Sequence, residues 1–463
     1  PRRCFFGGAG ATVYATRTGA CHGCQFAGQS MNQIWARRLP FFYGWVVVAV
    51  VFVTMAIGVN ARTAFSLFFP PIVAEFGWDQ AVTAGAFSFG FLVSAVLSPT
   101  LGRLMDARGP RVVMELGVAA TALGLLLATL ATQPWHIYLT LGVLVGGGSV
   151  CLGYTGQSLF LPAWFERRRG LAMSVAFSGV GVGSIVLFPL LQAYMAEAGW
   201  RQACFTLGVG ALVVLGPLNL LLRRRPQDLG LLPDGDPAPE PGRGPARKTN
   251  VVDAEWAAVD WTLARALRTQ RFWWLALGYF CALFAWYAVQ VHQTKFLLTV
   301  GFSATDAAWA LGAVSLFGVP GQILLGHVSD RIGREWVWTL GASGFVACYL
   351  VLWSMQAHAS LGSLVLMVVL QGLLGYGVTS VFGAIPMEIF EGKHYGSIFG
   401  TLMLAGILGG ALGPWWVGWL LDQTHSYAAA WLSGAAMAAL AIGAIWMAAP
   451  RRVRAVAGRM RAG

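Results

Sequence analysis

Twelve apolar runs of about 20 residues or more fill most of this 463-residue chain. They lie at roughly 43–70, 80–102, 110–131, 135–162, 169–196, 201–222, 272–298, 304–326, 335–355, 360–387, 396–421 and 427–449. Each is long enough, as a helix, to cross a hydrocarbon core of about 30 Å. The expected fold class is therefore an all-α integral membrane protein with twelve transmembrane helices. Composition excludes a soluble domain: 11% of residues are charged, where soluble chains carry about 25%. The 59 Gly and 20 Trp suit a membrane bundle, with glycine at close helix contacts and tryptophan at the interfaces.

The runs form two sets of six. Residues 102–111 read GRLMDARGPR and residues 326–334 read GHVSDRIGR, so Gly102, Asp106 and Gly109 match Gly326, Asp330 and Gly333. The two copies lie close to half a chain length apart, each in a short polar break. Phe165-Glu166 repeats as Phe390-Glu391, and Pro189 as Pro414, at nearly the same offset. Two six-helix pseudo-repeats in one orientation imply a substrate site between the halves, near the bilayer midplane.

Charge sets the expected topology. An even number of crossings puts both termini on one side. Every Lys and Arg except Arg62, Arg201 and Lys295 falls on that side, which the positive-inside rule makes cytoplasmic. The expected location is a multi-pass plasma (inner) membrane protein with cytoplasmic termini. The net charge of +12 is thus a topology signal, and a nucleic-acid role lacks a basic patch on a folded polar domain. The expected divisions are a disordered N-terminal extension (1–34), a first half (35–222), a linker (223–270), a second half (271–450) and a basic tail (451–463). The Pro/Gly-dense start of the linker reads as flexible. Residues 253–268 read as one amphipathic helix on the inner membrane surface.

Of the seven Cys, Cys151, Cys204, Cys281 and Cys348 fall in or beside apolar runs, where Cys behaves as a small hydrophobe. Cys21-His22-Gly23-Cys24 lacks a second ligand pair at zinc spacing. The three alternating glycines Gly179, Gly181 and Gly183 follow no strand, so close helix packing is expected there and phosphate binding is not. Walker loops, catalytic triads and metal clusters are missing from the sequence pattern. The expectation is a non-enzyme without cofactor or metal, and no obligate protein partner is evident.

The repeated motif reads as a pair of gates. Its glycines, Gly102, Gly109, Gly326 and Gly333, allow tight turns and close backbone approach. Asp106 and Asp330 can pair with Arg111, Arg331 or Arg334, or cap a neighbouring helix N-terminus. Inside the runs, Arg62 is the outstanding residue. A charge within a membrane helix costs about 2.5–3.5 kcal/mol on insertion scales and marks a functional candidate. Acidic residues, in contrast, fall in loops or near the ends of runs, which weakens readings as a cationic-drug or sugar carrier. Asn60 accompanies Arg62. In the seventh run Gln290, Gln293 and Thr294 form a polar stripe, with Tyr287 and His292 as further candidates on that run. Tyr154 and Gln157 share a face of the fourth, and Gln322 in the eighth and Tyr376 in the tenth complete the candidate lining.

The paired loops resemble the inter-helix loop of the major facilitator superfamily. Tyr43-Gly44-Trp45, Phe68-Phe69-Pro70-Pro71, Phe76-Gly77-Trp78 and the segment AWFERRRGLAMSVAFSGVGVG (163–183) further resemble its monocarboxylate porter branch, which includes oxalate:formate antiporter relatives. The resemblance covers about residues 35–450 and implies a basic residue within about one position of Arg62. It also marks departures. The Asp/Arg pair that animal members carry in the eighth helix falls here on Gly318 and Gln322, and the Lys of oxalate-type carriers in the eleventh is missing. A small organic anion, foremost a monocarboxylate met by Arg62 and His292, is the expected substrate. Proton symport and anion exchange both remain open, and membrane lipid is the surrounding partner. The alternative is an efflux carrier for neutral or amphipathic molecules.

Overall fold

A computed structural model describes residues 40–78, 80–236, 250–456 and 458. The expected extension over 1–34, with its Cys-His-Cys cluster, and residues 237–249 of the linker lie outside the described residues. Among those described, ten helices are long and apolar enough to cross a membrane. Two of them, Gly85–Ala128 and Arg169–Asn219, run for 44 and 51 residues, about twice what one crossing requires. Each is interrupted by one glycine with non-helical dihedrals, Gly109 (φ 77°) in the first and Gly199 (φ 80°) in the second. Split there, they bring the crossings to the expected twelve.

In chain order these are α1 (Gly44–Phe69), α2 and α3 (together Gln80–Ala128, divided at Gly109), and α4 (Pro134–Trp164). Next come α5 and α6 (together Arg169–Asn219, divided at Gly199) and α7 (Gln270–Thr299). The second half continues with α8 (Ala304–Ile332), α9 (Arg334–Met355), α10 (Leu361–Ile389), α11 (Tyr395–Thr424) and α12 (Ala428–Ala448). The turns at Gly109 and Gly333 (φ 115°) use a region that L-residues with a Cβ avoid, which explains two of the four motif glycines.

The halves meet along two seams, α2 against α11 and α5 against α8. The other two motif glycines sit inside helices at these crossings. A Cβ on Gly102 would overlap the Gly396 carbonyl, and one on Gly396 the Gly102 carbonyl. Gly326 and Gly170 meet in the same reciprocal way on the other seam. In α5, Gly179 and Gly183 lie against the backbone of Phe52 and Ala56 in α1, and Gly181 against Val319 in α8. That is the close packing expected of the glycine run.

The linker departs from expectation twice. Residues 253–268 form two short helices, Ala254–Ala258 and Leu263–Ala266, not one surface helix. Val259 turns extended and the Thr262 hydroxyl caps the second helix. Trp256 and Trp261 pack with tilted rings 4.4 Å apart, and the Trp256 indole donates to the Ile389 carbonyl at the end of α10 (2.8 Å). The apolar face is therefore spent on protein. Residues 223–236, expected to be loose, instead form two 3-10 turns, Pro226–Leu229 and Pro233–Gly235, packed against the bundle.

Candidate functional site

The interior of a helix bundle holds few partly accessible polar residues, and here they gather around Arg62. Its guanidinium lies 3.9 Å from the Phe91 ring centroid and 5.3 Å from Phe87, with Ser149 Oγ of α4 at 3.5 Å. Its Nη2 is shielded from solvent and has no hydrogen-bond partner, and no carboxylate lies within ion-pair distance among the described residues. The two rings and the long Ser149 contact meet the guanidinium's face and one nitrogen, but they supply no acceptor for Nη2, and a buried donor left unpaired is costly. The guanidinium thus has unmet demand for an anion.

Tyr287 lies beside it, and Tyr154 and Tyr376 lie near Tyr287 in turn. Tyr287 of α7 packs edge-on to Phe91 of α2 at 5.4 Å, joining the halves beside Arg62. Tyr376 of α10 lies 4.6 Å from Trp286 and faces Ser315 and Gln290. Tyr154 of α4 packs on Phe177 at 5.1 Å. All three tyrosines, Phe91 and Gln290 are half-buried, as expected of residues lining an internal cavity. The local backbone helps. A π-helical stretch interrupts α4 at Tyr138–Val145 and α10 at Leu370–Gly375, and Tyr376 follows the second directly. Such irregular turns cost backbone regularity and recur at functional sites.

The other candidates lie elsewhere. The Asn60 amide donates to the Ala56 and Val180 carbonyls (2.8 and 3.0 Å), pinning α1 to α5. Gln157 is fully buried and donates to the Leu152 carbonyl at 3.1 Å and to the Met114 sulfur, which turns it toward α3. Gln322 is buried in α8 with its Nε2 unpartnered. His292 faces α11, its Nε2 at 3.0 Å from the Pro414 carbonyl and its ring 6.2 Å from Tyr427. The sequence reading omitted Phe87, Phe91, Ser149 and Ser315. The Phe87/Phe91 pair at i,i+4 was the available signal.

At the end of the bundle that carries the linker, both motif aspartates cap a helix of the opposite half. Asp106 accepts from the Gly396 and Ser397 amides (2.9 and 2.7 Å) and the Ser397 hydroxyl (2.8 Å) at the start of α11. Asp330 accepts from the Gly170 and Leu171 amides (2.9 and 3.0 Å) at the start of α5. A carboxylate there satisfies orphan N–H groups and opposes the positive end of the helix. Asp330 is further paired to Arg334 at 2.6 Å, and Arg334 to Glu388 at 2.9 Å, with Arg169 4.0 Å from Glu388. Arg111 instead donates to the Leu222 carbonyl at 2.9 Å, and Arg331 is exposed. Both seams are closed at this end.

The sequence profile of the Major Facilitator Superfamily matches residues 46–299 and 275–461. The chain belongs to this superfamily. Monocarboxylate transporter 13 of Bos taurus is 30% identical over 401 residues, covering 84% of this chain and 85% of that protein. Monocarboxylate transporter 12 of Rattus norvegicus is 27% identical, with 84% and 82% covered. In fold, the chain is similar to the transporter FucP in its outward conformation (TM-score 0.65, 16% identity, 87% of this chain and 98% of that one). It is also similar to the proton:xylose symporter XylE bound to a bromodeoxyglucose (TM-score 0.65, 13% identity, 88% and 95%). This superfamily member is thus a multi-pass membrane protein.

Proposed function

We propose that this superfamily member is a secondary active transporter of a small organic anion, foremost a monocarboxylate, working by alternating access and without an enzymatic step. The observation that carries the reading is Arg62, a cation inside the bundle with one nitrogen unpartnered and no acidic neighbour among the described residues. A single carboxylate meets that demand, with Tyr287 of the second half beside it. The relatives named monocarboxylate transporters support the substrate class. The linker end is taken as cytoplasmic, in a plasma or inner membrane, because the basic residues collect there. Proton symport and anion exchange are both compatible with an Arg62 site that has no carboxylate among the described residues.

The test is uptake of labelled short monocarboxylates by purified protein in liposomes, under an imposed proton or anion gradient. Gradient-dependent uptake is expected, and its loss in Arg62→Ala. Uptake of no carboxylate under any gradient would refute the reading. The aromatic lining of Phe87, Phe91, Trp286 and the three tyrosines favours one second reading, efflux of neutral amphipathic compounds. Growth inhibition compared between deletion and overexpression strains separates the two.

A further inference from the structure

The two seams repeat each other in backbone and differ in charge. On the α5–α8 seam, the capping carboxylate Asp330 is neutralised from within its own motif by Arg334, four residues on, and the buried Glu388 and Arg169 complete the network. On the α2–α11 seam the equivalent members are missing. The motif arginine Arg111 is turned away to the Leu222 carbonyl. The positions matching Glu388 and Arg169 in the other half carry Ala163 and His394.

The missing cation comes from the linker. Arg224 Nη1 donates to the Asp106 carbonyl at 2.6 Å, and its Nη2 to Asp106 Oδ1 at 3.3 Å and to the Lys393 carbonyl at 2.8 Å. Arg225 Nη2 donates to the Gly392 carbonyl at 3.1 Å. Asp106 belongs to the first half; Gly392 and Lys393 belong to the second. The stretch carrying both arginines is anchored to the first half. The Trp164 indole donates to the Arg223 carbonyl (3.2 Å), Asp234 accepts from the Glu166 and Arg167 amides (3.0 and 2.9 Å), and Arg167 pairs with Asp236. The α5–α8 seam has no such bridge among the described residues.

From this we infer that Arg224 is the gating cation of the α2–α11 seam, and that residues 223–236 act as a strap latching it shut from outside the transmembrane bundle. The inference rests on the alternating-access reading, since only a seam that opens needs a latch. Separating α11 from α2 breaks the Lys393 and Gly392 contacts while the strap stays on the first half. Arg224 is a positioning residue. It touches the capping carboxylate and lies at the linker end, remote from Arg62. It also makes the linker a point of control, because whatever draws residues 223–236 off the seam frees the gate without touching the cavity.

The test places spin labels at Arg108→Cys and Lys393→Cys, two exposed positions on either side of the seam, in the full-length protein in liposomes. The distance distribution is then compared between this background and the same background with Arg224→Ala. Loss of a charge-assisted contact on a partly exposed group should raise the ratio of long to short distances by about three- to tenfold. Arg224→Lys, which keeps the charge on a single donor nitrogen, should restore most of the short population and guards against misfolding as the cause. An unchanged distribution in Arg224→Ala, with opening still produced by Asp106→Asn, would overturn the latch and leave the transporter reading standing. A seam that opens in no variant and under no substrate gradient would overturn the alternating-access reading beneath it.

Discussion

At the scale of single residues, Arg62 is the position where chemistry and structure agree most closely. Replacing it by lysine keeps a charge but loses the planar fork and the flat stacking on Phe91. We expect Arg62→Lys to retain a minority of wild-type uptake and Arg62→Ala to retain almost none, both measured in proteoliposomes with expression checked. A second prediction concerns the end of the bundle opposite the linker. There Arg201 Nη1 lies 2.5 Å and 2.6 Å from the two Glu75 oxygens and the Trp200 indole donates to Glu75 at 2.7 Å. Hydrogen bonding from Arg201, then from Trp200, holds the Glu75 carboxyl below its ordinary value. A lowered pKa contributes stability that is fully present above the unfolded value, near about 4.3, and is lost as pH falls through the folded one. The gap in melting temperature between wild type and Glu75→Gln should therefore stay constant from neutral pH to about pH 5 and shrink below about pH 4. A gap that widens with acid would contradict the assignment. Arg62 was legible because a charge in an apolar run has few explanations. Phe87 and Phe91 were not, because aromatic residues are ordinary in membrane helices and only the packing of α1 on α2 turns these two under a guanidinium. His292 shows the converse. Its polarity was visible, but its helical phase turned it toward α11 and away from the cluster.

At the scale of elements, closure depends on how near two helix axes can come. Gly102 on Gly396 and Gly170 on Gly326 bring backbone against backbone, which glycine permits and every other residue obstructs. Gly102→Val should hold α2 off α11, destabilise the closed form by about 1–3 kcal/mol, and lengthen the Arg108-to-Lys393 label distance. Gly109→Ala acts differently, because nothing lies within 4 Å of the added Cβ. Its effect comes from the backbone conformation alone (φ 77°, ψ 179°), about 1–3 kcal/mol, and should appear as a lower melting temperature with the label distance unchanged. The repeat made one glycine of each pair visible in the sequence, Gly102 and Gly326, and with them a capping role for Asp106 and Asp330. Which two helices cross at each glycine was hidden, since motif spacing says nothing about the partner. The split of 253–268 into two helices was hidden too. Its apolar spacing fitted a single helix, and the competing partner, Phe390 at 5.2 Å from Trp261, lies far away in sequence.

At the scale of the whole molecule, duplication produced matching backbones whose fastenings then diverged. The α5–α8 network is sealed, with Arg334, Glu388 and Arg169 almost fully buried. The α2–α11 fastening is wetter, with the Arg224 side chain 28% exposed. Mobile ions screen exposed pairs within about 3 Å at 1 M salt and reach buried ones poorly. Raising salt should therefore lengthen distances across the α2–α11 seam before those across α5–α8, read with label pairs on each. Equal response of both seams would show that burial does not separate them. The twelve-helix architecture and the two halves followed from hydropathy and repeat. The inequality of the seams did not, because it depends on a linker arginine whose partner, Asp106, lies more than a hundred positions earlier.

The corners at Gly109, Gly199 and Gly333 are each a single residue long. Joints of that kind contain no slack. A helix that tilts must carry its neighbour with it, as a bent rod carries its far arm, and the displacement reaches the next helix undamped. Each half then behaves as a stiff jaw, so a cross-link made within one half, on α3 or on α9, should leave the stroke intact, whereas one placed across either seam should arrest it.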